Sequence, residues 1–155
     1  MKQRRVRPLA ICVFRKADSI FVAEGYDPTK GETFYRPLGG EIDFGEYDHQ
    51  TATREIREEI DAEAMDLRYL GTIENIFTYD GQPGHEIVLV YDGSFADKSI
   101  YEKNEVSGQE TGYSPFKAVW KPMQDFRNGR AQLYPAGLHE LLMKHQTNMG
   151  EKEET

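Results

Sequence analysis

The stretch GEIDFGEYDHQTATREIREEIDA, residues Gly40–Ala62, places a glycine, a lone glutamate (Glu46), then Arg54-Glu55 and Glu58-Glu59 at fixed spacing. Read as a helix, it puts Glu55, Glu58 and Glu59 at i, i+3 and i+4, so three carboxylates project from one face. With Glu55 at zero, the acids occupy roughly 300° to 40° of the helical wheel and Ala52, Ile56 and Ile60 about 60° to 140°. An acidic stripe therefore lies beside an apolar one. The apolar stripe docks the helix and the acidic stripe faces a groove.

Like charges at this spacing repel, and Glu58 and Glu59 sit near the C-terminal end, where the helix dipole disfavours anions. Arg54 relieves Glu58 at i+4, but one guanidinium does not neutralise three carboxylates. A hard divalent cation does, and Mg²⁺ suits carboxylate oxygens while keeping waters for a phosphate-bearing substrate. The plain alternative is a solvated, glutamate-rich helix face.

The run resembles the Nudix box, G-x5-E-x7-R-E-U-x-E-E-x-G-U with U apolar, and Gly40, Glu46, Arg54, Glu55, Ile56, Glu58, Glu59 and Ala62 fall on its positions in order. Asp61 stands where the family has its second glycine. That glycine usually ends the helix in a left-handed conformation, which Asp tolerates better than most residues. The departure bears on where the helix stops and leaves the candidate metal ligands unaffected.

The remaining elements surround this run. Pro8–Phe14 and Ser19–Glu24 read as buried strands joined across Lys16-Ala17-Asp18. Gly25–Gly31 has loop chemistry, and Thr33–Arg36 is a short strand stopped by Pro37. Leu38-Gly39-Gly40 is expected to turn tightly and approach a ligand closely. The helix is expected from about Asp48 to Asp61, with Asp48 at the N-cap or in the first turn. Met65–Thr78 supplies one or two strands and His85–Tyr91 another, connected through Asp80–Gly84. Asp97–Gly112, polar and without periodicity, reads as a long surface loop. Tyr113–Lys121 is a strand around Ala118-Val119-Trp120, Met123–Asn128 a turn of helix and Pro135–His145 a closing helix. Residues 146–155, charged and poor in apolar side chains, read as a disordered tail after a single domain of residues 1–145.

This order implies an α/β (α+β) protein with a mixed sheet flanked by two main helices. The resemblance sharpens it to a Nudix-type α/β/α sandwich with the box as a loop-helix-loop.

At 155 residues the chain fits one domain, and its net charge of −8 argues against general binding to nucleic acid or anionic membranes. The basic start (Lys2, Arg4, Arg5, Arg7) mimics the opening of a signal peptide, but Leu9–Phe14 is too short to continue one, and no segment has the length of a membrane span. The single cysteine, Cys12, lies in an apolar run and reads as a buried thiol in a reducing compartment. A soluble, cytoplasmic protein is expected.

The resemblance implies a pyrophosphatase: a hydrolase that uses Mg²⁺ or Mn²⁺ to cleave nucleoside diphosphates linked to another moiety, such as a nucleoside triphosphate, nucleotide sugar or dinucleotide. It assigns metal binding to Glu55, Glu58 and Glu59 with the Gly39 carbonyl, and allows Glu55 to act also as general base. Glu46 and Arg54 match positions that orient the helix and its acids, and a brace explains them as well as chemistry does. Family members often add an acid from beyond the box. Glu102, Glu105 and Glu110 are the candidates, and Glu105 is the expected metal ligand.

Arg36, beside the glycine turn, is the candidate phosphate contact; a strand-end arginine in water is the alternative. Phe34, Tyr35, Phe77, Tyr79 and Tyr134 are suited to stacking a base, although aromatics in strands more often belong to a core, and Trp120 is assigned to the core. His85 reads as structural or solvent-facing. Members acting on adenosine diphosphate ribose often carry a proline after the box, and Thr72–Thr78 has none. A non-catalytic nucleotide-sensing module of the same fold is the competing reading, and a homodimer is allowed by the resemblance alone.

Overall fold

The structure, a computed structural model, describes residues 4–110 and 115–153, with side chains through 145. Its backbone centres on strand β1 (Val6–Lys16). The run from Leu9 to Phe14 is apolar throughout because both faces of this strand are covered. Ala10, Cys12 and Phe14 point into one core cluster, and Leu9, Ile11 and Val13 into another on the opposite face.

β2 (Ser19–Asp27) splits in the same way, Phe21 and Ala23 to the first cluster, Ile20 and Val22 to the second. Then follow β3 (Glu32–Arg36), β4 (Leu38–Glu41), α1 (Asp48–Ile60), β5 (Ala64–Tyr79), β6 (Gln82–Phe95), a 3-10 turn (Lys98–Glu102), β7 (Glu105–Gln109), β8 (Pro115–Pro122), α2 (Met123–Arg127), β9 (Gln132–Leu133) and α3 (Leu138–Glu153).

Among the described residues the strands form one mixed, nine-stranded sheet in two wings that share β1. In one wing β1 runs parallel to β6 and antiparallel to β4, and β6 pairs with β5. In the other, β1 turns through Ala17 into β2, which pairs with β3 and β8, while β8 carries β7 and β3 carries β9. α1 packs through Ala52 and Ile56 on the cluster holding Cys12, Phe21, Leu38 and Phe95. α3 packs through Leu138 and Leu142 on the other. The result is the α/β/α sandwich, and among the described residues no helix is long and apolar enough to cross a membrane.

Several expectations are corrected. Leu38-Gly39-Gly40 is a strand, not a turn: Gly39 opposes Ile11 on β1, and a Cβ there would stand 2.6 Å from the Ile11 Cα. Gly25 to Asp27 continue β2, because the Phe34 ring of β3 lies in the space that Gly25 leaves open. The Asp97–Gly112 segment contains the 3-10 turn and β7. The β5–β6 connection is only Asp80-Gly81, both at positive φ as a tight hairpin requires. α3 begins at Leu138 and runs to Glu153, past the end expected at His145. Tyr113, the expected start of β8, and the last two residues lie outside the described residues. Cys12 is fully buried, and burial raises its thiol far above the ordinary range, so it is an inert core residue. Trp120 packs on Phe21 and stacks on Tyr101.

Candidate active site

β4 delivers the chain to the head of α1 through Ile42–Tyr47. The Ile42 amide donates to Pro8 O (2.9 Å), and the Glu46 amide closes back on Asp43 O (3.0 Å), with Gly45 at φ +85. Asp48 opens the first turn and also accepts a 2.8 Å hydrogen bond from the Tyr91 hydroxyl. At the other end Asp61 adopts φ 52, ψ 45, and its amide donates to Arg57 O. Asp61 thus stops the helix in the left-handed conformation that the glycine of the family pattern takes.

Arg54 ties the site together. Its Nε and Nη2 donate to the two oxygens of Glu46 (2.9 and 3.0 Å), a paired contact that fits the guanidinium fork. Its Nη1 reaches Glu55 (2.9 Å) and Glu58 (3.1 Å), and Nη2 also meets the Glu41 carbonyl (3.2 Å). Arg54 lowers the Glu46 pKa to about 2, with help from the Thr51 hydroxyl at 2.5 Å. Reciprocally, Glu46 holds the Arg54 pKa above its ordinary value, against the opposing effect of desolvation. The contacts reach back from the helix to the loop before it, so the brace also sets the angle at which α1 leaves β4.

The three box acids differ in exposure. Glu58 is half open, Glu55 is mostly covered and Glu59 is 5% exposed. One oxygen of Glu59 is buried without a hydrogen-bond partner. Burial is the main reason that its pKa lies well above the carboxylate range. The hydrogen bond and charge of Glu55 and the charge of Glu110 push the same way, while Arg36 opposes. Gly40 faces the Glu55 carboxylate so closely that a Cβ would stand 2.5 and 2.7 Å from its oxygens. Any side chain at position 40 displaces that carboxylate.

Among the described residues no three acid, His or Cys side chains already converge as a coordination set. Glu55 and Glu58 are instead held by Arg54. The donor chemistry nevertheless suits a hard divalent cation: clustered carboxylate oxygens, one of them buried and unpartnered, beside a glycine that leaves the space clear.

The structure thus brings Glu46, Arg54, Glu55, Glu58 and Glu59 together on α1 and its approach, with Gly39 on the adjoining β4. Arg36, at the end of β3, joins them through an ion pair with Glu110. Glu105 is not among them. Its side chain is exposed and 3.7 Å from Lys117 on β8. Along β7, Val106 faces the α1-side core, so period-two alternation puts Glu110 on that face and Glu105 on the other. Glu102 is exposed at the end of the 3-10 turn. Glu110 is the residue that sequence reasoning set aside.

No curated protein matches the chain. Solved structures do, at identities that speak for the fold alone. They include a NUDIX hydrolase from Nitrosomonas europaea (14% identity, covering 93% of this chain and 90% of that one, TM-score 0.66). A MutT NUDIX hydrolase from Burkholderia pseudomallei (17%, 78% and 86%, TM-score 0.58) and a protein described as an ADP compounds hydrolase (17%, 96% and 77%, TM-score 0.64) are also similar. The model of the NUDIX domain matches residues 3–137, nearly the whole chain and the entire box, and the chain belongs to the NUDIX family.

Proposed function

We propose that this protein is a metal-dependent pyrophosphohydrolase that cleaves the diphosphate linkage of a nucleoside diphosphate joined to another moiety. The observation that carries the reading is the buried, unpartnered oxygen of Glu59 beside Glu55, an arrangement that disfavours a second negative charge until a cation joins it. Glu55, Glu58 and Glu59, with the Gly39 carbonyl, would hold Mg²⁺ or Mn²⁺. Such an ion, when bound, neutralises nonbridging phosphate oxygens and acidifies a water.

The chain's own residues supply the rest. Arg54, anchored on Glu46, neutralises Glu55 and Glu58 and keeps them at the site, from which a cation would draw their oxygens into its own coordination. Glu55 is placed to take a proton as the water oxygen bonds to phosphorus and the bridging P–O bond breaks toward the leaving phosphate. Arg36 meets a phosphate once it leaves Glu110. Glu110, rather than Glu105, is the acid from beyond the box that stands with Glu59.

The test is product release from a panel of nucleoside triphosphates, nucleotide sugars and dinucleotides, with Mg²⁺ and with EDTA. Metal-dependent release of a nucleoside monophosphate from some member is expected, and its loss in a folded Glu58→Gln/Glu59→Gln variant. Full turnover by the double variant would refute the metal site. Tight binding of one nucleotide without cleavage would establish the sensing module instead.

A further inference from the structure

β3 carries, on one face and at every second residue, Arg36, Phe34 and Glu32. The face is the one toward α1: Arg36 pairs with Ala23, which lies in the α1-side core, and Phe34 pairs with Gly25 in the next row. Successive members of the trio are about 7 Å apart along the strand. The series is a cation, an aromatic ring and a carboxylate, and Arg36 is the end nearest the box acids.

The middle member is built as a platform. A Cβ on Gly25 would stand 2.5 and 2.7 Å from carbons of the Phe34 ring, so the outer end of the ring lies over the glycine of the neighbouring strand. Tyr134 and Tyr79 approach that ring at steep angles, 64° at 5.2 Å and 82° at 6.0 Å between centroids. An aromatic ring in such a cluster can receive another planar group by stacking.

The far end is set for hydrogen bonding. Glu32 accepts a 2.8 Å bond from the Tyr134 hydroxyl through one oxygen. Nearby Lys30 lies 3.9 Å from Asp27 instead, and among the described residues no Lys or Arg pairs with Glu32. An ionised carboxylate accepts only, so it selects a planar group whose edge presents donors.

We propose that β3 reads a guanine nucleotide: Arg36 takes the phosphate, Phe34 stacks the base and Glu32 accepts from its adjacent ring N–H and exocyclic amino group. Guanine alone among the common bases offers those two donors side by side. Adenine and cytosine set a ring acceptor beside the amino group, and uracil flanks its N–H with carbonyl oxygens. Each would turn a lone pair toward Glu32, which costs binding. The inference rests on the proposed nucleotide-hydrolase reading and names the base that the same site accepts.

The experiment is calorimetric titration of the full chain with GMP, IMP, AMP and UMP in Mg²⁺ buffer, with ribose 5-phosphate as the base-free probe. Monophosphates offer no diphosphate linkage to cut, so binding is read apart from turnover. GMP should bind roughly tenfold or more tighter than AMP or UMP, with IMP between, since it lacks the amino group. Glu32→Gln should remove most of the preference and leave ribose 5-phosphate unchanged. Phe34→Leu should weaken all four nucleotides by about tenfold. Equal affinities for GMP and AMP, no binding of any nucleotide, or a preference that survives Glu32→Gln would overturn the proposal. Selective GMP binding without cleavage of any diphosphate would sink the hydrolase reading alone, and cleavage without base preference would sink this one alone.

Discussion

Replacing Glu59 by Gln removes an ionisable group from a place that opposes ionisation, so the metal-free protein should become more stable at neutral pH. Burial is the largest cause of the raised pKa, followed by the hydrogen bond and charge of Glu55 and the charge of Glu110. Below the ordinary value of 4.5 folded and unfolded chains both hold the proton, and Glu and Gln are nearly equivalent. As pH rises from there, the unfolded chain releases its proton first, and the wild type loses stability until the folded pKa is passed. Holding an ionised carboxylate in so buried and unpartnered a place costs on the order of 2–3 kcal/mol. In a domain of this size that is roughly 5–10 °C in Tm. The assay is thermal unfolding followed by circular dichroism at pH 4 and pH 7.5, in EDTA and in MgCl₂. In EDTA the variant should melt higher at pH 7.5, with little difference at pH 4. MgCl₂ should raise the wild type and do little for the variant. A variant that melts at or below the wild type at pH 7.5 in EDTA would refute the claim that Glu59 is held at an energetic cost.

Asp61→Gly should stabilise the protein by about 0.5–1 kcal/mol, because glycine takes the left-handed helix end without strain; a lower urea midpoint would contradict this. Gly40→Ala should leave the far-ultraviolet spectrum unchanged but cut turnover by roughly tenfold or more, since the new Cβ occupies the place of the Glu55 carboxylate. Glu46→Gln should destabilise at neutral pH. The Glu46 pKa is lowered by Arg54, so its contribution is present above 4.5 and fades as pH falls through about 2. Acid titrations of the two proteins should therefore converge at the low end, and parallel curves would show that Arg54 does not hold the carboxylate.

The helix and its acids were legible because a single period governs them: apolar positions and carboxylates both recur with the helical turn, and α1 spans Asp48–Ile60. What spacing alone did not contain is the return of the chain. Arg54 reads as a partner of Glu58 at i+4, but in the fold the same guanidinium also holds Glu46 on the incoming loop and Glu41 O at the end of β4. β4 went unread for a related reason. Leu-Gly-Gly looks like a turn, and only the proximity of β1 shows that the glycines are there to let one strand lie close against another.

The exchange of Glu105 for Glu110 shows what a short strand withholds. In EVSGQ only Val106 is apolar, and one apolar residue defines no alternation, so the segment carries no sign that it is a strand. Once β7 is paired with β8, parity decides at once. Val106 points to the α1-side core, every second residue follows it, and Glu110 arrives beside Glu59 and Arg36 while Glu105 turns to Lys117. Glu110 follows Glu105 at an odd offset, i+5, which puts the two glutamates on opposite faces. Any one-residue change in the length of β7 between Val106 and Glu110 would therefore remove the carboxylate from the site, although the composition of the segment would hardly alter.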